Sequence, residues 1–329
     1  MTSTTIAPNK TANTSKQILG FLAHDRVHML LVLLFVIAVF SAATNGFFSF
    51  RTFQSVAAQV PPLTIAAVGM TFILLIGQID LSVGSVLGLS GAVLGVALTQ
   101  WHLPLLLAGL LAVFVGAACG LAIALVMVKW RLPSFIVTLG MLEAGRGATY
   151  LVTHSQTQYI GGSIETLAEA NIAGIPLVFM VALLFVAAGT MLMHRTVLGR
   201  YLTAMGTNEE AVRLAGINTK KLKCIAFAGA GALAGVAAFL HTARLGAADP
   251  NAGSGFELQA IAAVVIGGTS LMGGRATVTG SLFGVLIITL LDTGLAQVGA
   301  QEPAKRLVTG VVIVAAVIFD NYRHRKARS

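Results

Sequence analysis

The residues of this chain that can do chemistry are few, and they lie among apolar neighbours. Asp80 stands within Gly77-Gln78-Ile79-Asp80-Leu81-Ser82-Val83-Gly84-Ser85, Asp292 follows Leu290-Leu291, and Glu143 and Arg146 interrupt a hydrophobic run. An isolated carboxylate in such surroundings suits either a proton or ion relay, or the holding of backbone N–H groups freed where a helix breaks. Ser82 and Ser85 supply hydroxyls for the second role, and one carboxylate without a charged partner makes a thin relay. Glu143 and Arg146, three residues apart, share a helix face and can pair. Asp292 reads as a pathway residue or a buried hydrogen-bonding group. Nucleophilic chemistry leaves one trace. Gly88-Leu89-Ser90-Gly91, with His241 far downstream, would suit a serine nucleophile and its base if the two met. So short a string is expected by chance in a chain with 36 glycines. Cys119 and Cys224 have no Cys or His at metal-ligand spacing, so disulfide frameworks and zinc sites are excluded. No Gly-x4-Gly-Lys-Ser/Thr pattern occurs, so the chain is expected not to hydrolyse ATP and to need no cofactor of its own.

The elements that must position these residues follow from composition. Of 329 residues, 56% are hydrophobic and 10% charged, against about 25% charged in soluble domains. The fold class is therefore an all-α polytopic membrane protein. A spanning helix needs about 20 mostly apolar residues. That length gives ten segments: 27–45, 60–78, 82–99, 103–128, 133–152, 174–193, 222–244, 257–269, 277–297 and 304–320. The net charge of +9 comes from basic residues that punctuate hydrophobic runs rather than gather on one face, which argues against nucleic acid and for membrane topology. With the N-terminus in the cytoplasm, sixteen Lys and Arg fall inside and four (Arg51, Arg244, Lys305 and Arg306) outside, with Arg146 in a span. Both termini are thus expected to be cytoplasmic. Residues 1–26 read as a disordered polar tail, 27–320 as the membrane domain and 321–329 as a basic tail. Residues 29–40 before Ser41-Ala42-Ala43 also fit a signal peptide; the long polar stretch ahead of them favours a retained helix.

Three segments depart from plain apolar helix. The loop 194–222 is the longest on the cytoplasmic side. Thr207 followed by Glu210 is a capping-box pattern, Glu209 and Glu210 suit a first helical turn, and Gly216 is placed to end the helix. A helix of two turns is marginal alone. It must dock on its own protein or, as expected here, in a groove of a cytoplasmic partner. The second segment is the break at 77–85, holding Gln78, Asp80, Ser82 and Ser85. The third is 267–281, where Gly267, Gly268, Gly273 and Gly274 permit tight turns and Arg275 marks the cytoplasmic side. Upstream of it, Asp249-Pro250-Asn251 signals a turn, and Phe256 and Glu257 open a short helix. With Asp249 and Asn251 they are expected to rim a periplasmic gate or docking surface.

On three stretches, 69–91 (GMTFILLIGQIDLSVGSVLGLSG), 204–217 (AMGTNEEAVRLAGI) and 255–274 (GFELQAIAAVVIGGTSLMGG), the chain resembles the membrane permease of ribose/galactose/xylose-type ABC importers, within the branched-chain permease superfamily. The resemblance covers nearly everything from about residue 30. It implies a dimer with a second copy or paralogue, two cytoplasmic ATP-binding cassettes that carry ATP and Mg, and a periplasmic sugar-binding protein, in a bacterial inner membrane. It makes Gly206, Thr207, Asn208, Glu209, Glu210, Ala211, Leu214, Ala215, Gly216 and Ile217 the helix that couples to the cassette. The family usually reads Gly-Gly-Ile-Asp-Leu-Ser; Gln78 replaces the second glycine here, and Ala276 stands where glycine is frequent. Rival functions are an ion-gradient-driven secondary transporter, for which broken helices also fit, an intramembrane serine protease, and a non-catalytic scaffold.

Overall fold

The structure, a computed structural model, describes residues 10–172 and 174–326; residues 1–9 and 327–329 of the two expected tails lie outside the described residues. Thirteen helices follow one another: α1 (Lys10–Ala43), α2 (Phe50–Leu75), α3 (Val83–Thr99), α4 (Leu105–Trp130), α5 (Ser134–Thr153), α6 (Gly162–Glu169), α7 (Leu177–Arg195), α8 (Val197–Thr207), α9 (Glu209–Leu214), α10 (Thr219–Leu245), α11 (Phe256–Ile266), α12 (Val278–Gln297) and α13 (Glu302–Lys326). Among the described residues, four two-residue strands lie in the connections: β1 (Gln158–Tyr159) pairs with β4 (Ala247–Ala248), and β2 (Asn171–Ile172) with β3 (Ile175–Pro176). Each of the ten expected spans is helical. Among the described residues, five helices, α2, α4, α7, α10 and α12, are long and apolar enough to cross a membrane. The protein is an all-α polytopic membrane protein.

Two boundaries differ from expectation. Backbone helix begins at Lys10, so α1 reaches back into the stretch read as a disordered tail. No proline interrupts residues 10–43, and nothing else in that stretch stops a helix once the apolar part has nucleated it. Helix α2 begins at Phe50, ten residues before the expected start, with Ser49 as its N-cap accepting from the Thr52 N–H at 3.2 Å. The helix runs through Pro61 and Pro62. Proline removes a hydrogen bond from a helix interior, which packing against neighbouring helices makes tolerable in a membrane protein.

Packing follows from small residues. Gly116 of α4 lies directly on Gly231 of α10, Gly120 on the Phe227 carbonyl of α10 and Gly235 on the Ala112 carbonyl of α4, where any Cβ would overlap the facing carbonyls. Each helix thus carries a Gly-x3-Gly pair, the spacing that lets two helices approach closely in lipid. Helix α2 forms the centre: residues 60–76 are buried without interruption, enclosed by α7, α10, α11 and α12. Its Thr71 hydroxyl meets the Ser281 hydroxyl of α12 at 2.8 Å.

Candidate functional site

Helices α3 and α11 have 17 and 11 residues, about 26 and 17 Å long, short of a hydrocarbon core of about 30 Å. Both begin inside the bundle. Residues 76–82 climb from the end of α2, and the Ser85 hydroxyl, in the first turn of α3, reaches the Met141 carbonyl at 3.4 Å. Met141 lies seven residues into α5, about 10 Å beyond that helix's start. From the opposite end, the chain after β4 turns back along α3: Ala248 packs at Gly95, Ala252 at Gly88, Gly253 at Gly84. Only then does α11 start. The N-termini of α3 and α11 therefore meet in the interior.

A carboxylate sits at each of these positive helix ends. Asp80 is buried, and its Oδ1 accepts from the Ser82 N–H at 2.8 Å and the Ser82 hydroxyl at 2.6 Å. It folds the segment ahead of α3 rather than capping it; the N-cap is Ser82, whose side chain makes no capping bond. Glu257 lies in the first turn of α11. Its Oε2 is buried against Gly84 with no hydrogen-bond partner among the described residues. Arg146 reaches across to the same place, donating to the Ala252 carbonyl at 2.6 Å. The expected Glu143–Arg146 pair is thus replaced: an arginine on α5 reaches a carbonyl of the incoming loop, which the i,i+3 spacing did not reveal.

Where α2 ends, three separate sequence motifs join. Gly77 has φ +69°. The Gly77 N–H donates to the Leu74 carbonyl at 2.9 Å and the Gln78 N–H to the Ile73 carbonyl at 3.1 Å, closing α2 in a left-handed turn. Gln78 itself has no positive φ among the residues of that kind, so an amide in place of the family's second glycine does no harm to the backbone. The Gly274 N–H donates to the Leu75 carbonyl at 2.8 Å. Gly206, in the last turn of α8, presses on both: a Cβ there would overlap the Leu75 carbonyl and the Gly274 N–H. Gly273 lies against Gly77 and the Gly206 carbonyl, and Thr207 against Gly274. Gly267 ends α11 against Gly280 of α12, and Gly268 turns the chain at φ +83°.

Helix α9 projects from this junction. Its N-cap is Asn208, whose Oδ1 accepts from the Ala211 N–H at 3.0 Å. Thr207, expected as the cap, instead closes α8 and donates its hydroxyl to the Thr203 carbonyl at 3.0 Å. The α8 helix runs one residue further than its capping pattern suggests, and Asn competes equally well for the cap. Gly216 stands at φ +82° after the C-cap Ala215, with the Ile217 N–H donating to the Val212 carbonyl at 3.2 Å. Val212 is buried and Glu209 pairs with Lys223 of α10 at 2.8 Å, so one face docks back on this protein. Leu214 is 75% exposed on the other face, beside an exposed Glu210–Arg213 pair.

At the far end, Asp249 Oδ1 accepts from the Asn251 N–H at 2.8 Å, and Asn251 Oδ1 accepts from the Tyr150 hydroxyl at 2.7 Å. Phe256 is buried. These bonds fix the turn, with Asn251 exposed and Asp249 half-buried. Ser90 Oγ is buried with no hydrogen-bond partner among the described residues, so no Ser90–His241 dyad forms.

Residues 52–317 match the family described as "Branched-chain amino acid transport system / permease component". The chain is 40% identical over 298 residues to the ribose import permease protein RbsC of Escherichia coli strain K12, covering 89% of this chain and 92% of that one. It is 32% identical over 318 residues to the L-arabinose ABC transporter permease protein AraH of Azospirillum brasilense, covering 93% and 90%. With the fructose import permease protein FrcC of Rhizobium meliloti it shares 29% over 345 residues, covering 96% and 95%. A chain whose three glycine-rich motifs close on one another at the end of its central helix, and which matches along nearly its whole length, belongs to the branched-chain transport permease family.

Proposed function

We propose that this chain is the membrane-spanning permease of an ATP-driven sugar importer, paired with a second permease copy or paralogue, served by cytoplasmic ATP-binding cassettes and loaded by a periplasmic sugar-binding protein. The observation that carries this reading is the junction at Leu75, Gly206 and Gly274. A partner that seats on Leu214, Glu210 and Arg213 of α9 moves a unit bonded to both helix breaks. The chain has no nucleotide-binding pattern, so hydrolysis of ATP with Mg belongs to the cassette. The importer lies in the bacterial inner membrane with both termini and α9 on the cytoplasmic side, as the distribution of Lys and Arg supports. Alternating access follows: cassette closure displaces α9, and the junction tilts the ends of α2 and α11. Substrate shifts that equilibrium only by its different affinity for the two states.

The test is reconstitution. In proteoliposomes containing the chain with its cassette and binding protein, D-ribose, L-arabinose or D-fructose accumulates only with ATP on the cassette side. Accumulation by the chain alone under an ion gradient would establish the secondary-transporter reading instead.

A further inference from the structure

Two cavities adjoin at the far end of the bundle. The inner, about 140 Å³, is lined by Gln59, His241, Arg244, Phe256, Gln259 and Asp292, with Thr289 at its wall. The outer, about 200 Å³, shares Gln259 and Asp292 and adds Glu302, Lys305 and Arg306 of α13. Each is many times the space one water needs. Most polar groups of the inner cavity are unspent. Among the described residues the side chains of His241, Arg244, Gln259, Thr289 and Asp292 make no hydrogen bond, while Gln59 commits only its NH2 to Ser55, leaving its carbonyl. Charge is nearly balanced: Glu302 lies 3.7 Å from Lys305 and 3.4 Å from Arg306, and the inner cavity holds one carboxylate, Asp292, and one guanidinium, Arg244.

We propose that these two cavities form a single outer station in which a neutral polyhydroxylated ligand is held on its way from the binding protein into the bundle. The inference rests on the sugar-importer reading and says where the sugar first lodges. A sugar ring carries hydroxyls that both donate and accept around its edge, and it presents a C–H face. Asp292 and the Gln59 carbonyl accept, Arg244 donates, and Gln259 and Thr289 do both. Phe256 offers an apolar wall to the C–H face. A branched aliphatic amino acid would put its side chain against these polar groups and leave them unpaired, at a cost in affinity. The mixed lining therefore selects polyols over the amino acids in the family's description. The groups come from α2, α10, α11, α12 and α13. Any tilt of α11 changes the spacing of Gln259 from Asp292 and loosens the hold.

The test uses the complete importer in proteoliposomes, with the three sugars named above as probes. Asp292→Leu combined with Gln259→Leu lowers sugar delivered per ATP hydrolysed by roughly tenfold, as expected for two lost hydrogen bonds to ligand. Binding-protein stimulation of the ATPase is retained. Thr289→Val, nearly isosteric, gives a smaller loss in the same direction and carries the test if the double variant fails to insert. A cysteine at position 259 is modified by a small charged thiol reagent from the binding-protein side, and sugar-loaded binding protein slows that reaction. Unchanged delivery per ATP in Thr289→Val and in the double variant, with wild-type uptake intact, overturns the station and leaves the importer standing. Failure of the wild type to move any of the three sugars overturns both.

Discussion

At the scale of single residues, the closest approaches occur where a side chain is missing. A methyl group at Gly206 would overlap the Leu75 carbonyl and the Gly274 N–H. Overpacking of that kind costs about 1–3 kcal/mol. Gly206→Ala is expected to lower thermal stability in detergent and, more tellingly, to cut uptake per ATP while insertion persists; normal coupling would show that the junction does not transmit motion. Asp80 gives a graded case. Asp80→Asn keeps an acceptor for the Ser82 N–H and hydroxyl, whereas Asp80→Ala strands both buried donors at about 1–3 kcal/mol each. Folded yield should fall in the order wild type, Asn, Ala, as measured by size-exclusion recovery, and equal yields would remove the role assigned to the carboxylate. On the exposed α9, hydrogen bonding to Arg213 holds the Glu210 carboxyl below its ordinary value. A depressed carboxylate contributes above its unfolded-state pKa and loses that contribution as pH falls through the lowered one. The pair is thus intact at neutral pH, and Glu210→Gln should leave the pH profile of coupled uptake unchanged between about pH 6 and 8.

At the scale of elements, the sequence revealed which segments are helical and where two of them break, because hydropathy, glycines and Asp80 are local signals. It did not reveal that the breaks meet. The Leu75–Gly274 bond and the Gly84–Gly253 contact join residues far apart in the chain, and no spacing rule reaches that far. The same blindness explains Arg146. Its neighbour Glu143 was the nearest charge in sequence, but a helix can aim a long side chain at any carbonyl that another element delivers. The cavity residues Gln59, His241, Gln259 and Thr289 lie singly on four helices, and only their shared height in the bundle makes them a group. Arg146 bonds the re-entrant stretch 247–255 to α5. Arg146→Gln, which loses a charge-assisted bond of about 1.5–3 kcal/mol to the Ala252 carbonyl, should increase reagent access to a cysteine placed at Ala252. Unaltered access would mean that the β1–β4 pair and glycine packing hold the loop unaided.

At the scale of the whole molecule, the proposed orientation is tested by sidedness. With Cys119 and Cys224 replaced, a cysteine at Leu214 should react only with reagent on the cytoplasmic side and one at Tyr159, itself 81% exposed, only from outside; the reverse pattern would invert the topology. The burial of α2 has a further consequence, for biogenesis. This helix leaves the ribosome second, yet the neighbours that enclose it, α7, α10, α11 and α12, are synthesised later. It must wait in lipid with its eventual core exposed, which an apolar helix does at little cost because lipid and protein interior solvate it alike. The carbonyl of Leu75 acquires its Gly274 partner only after most of the chain has been made. Assembly of this permease is therefore a late, concerted event, and nascent chains stopped ahead of α10 should keep α2 open to lipid-phase crosslinkers that the finished protein excludes.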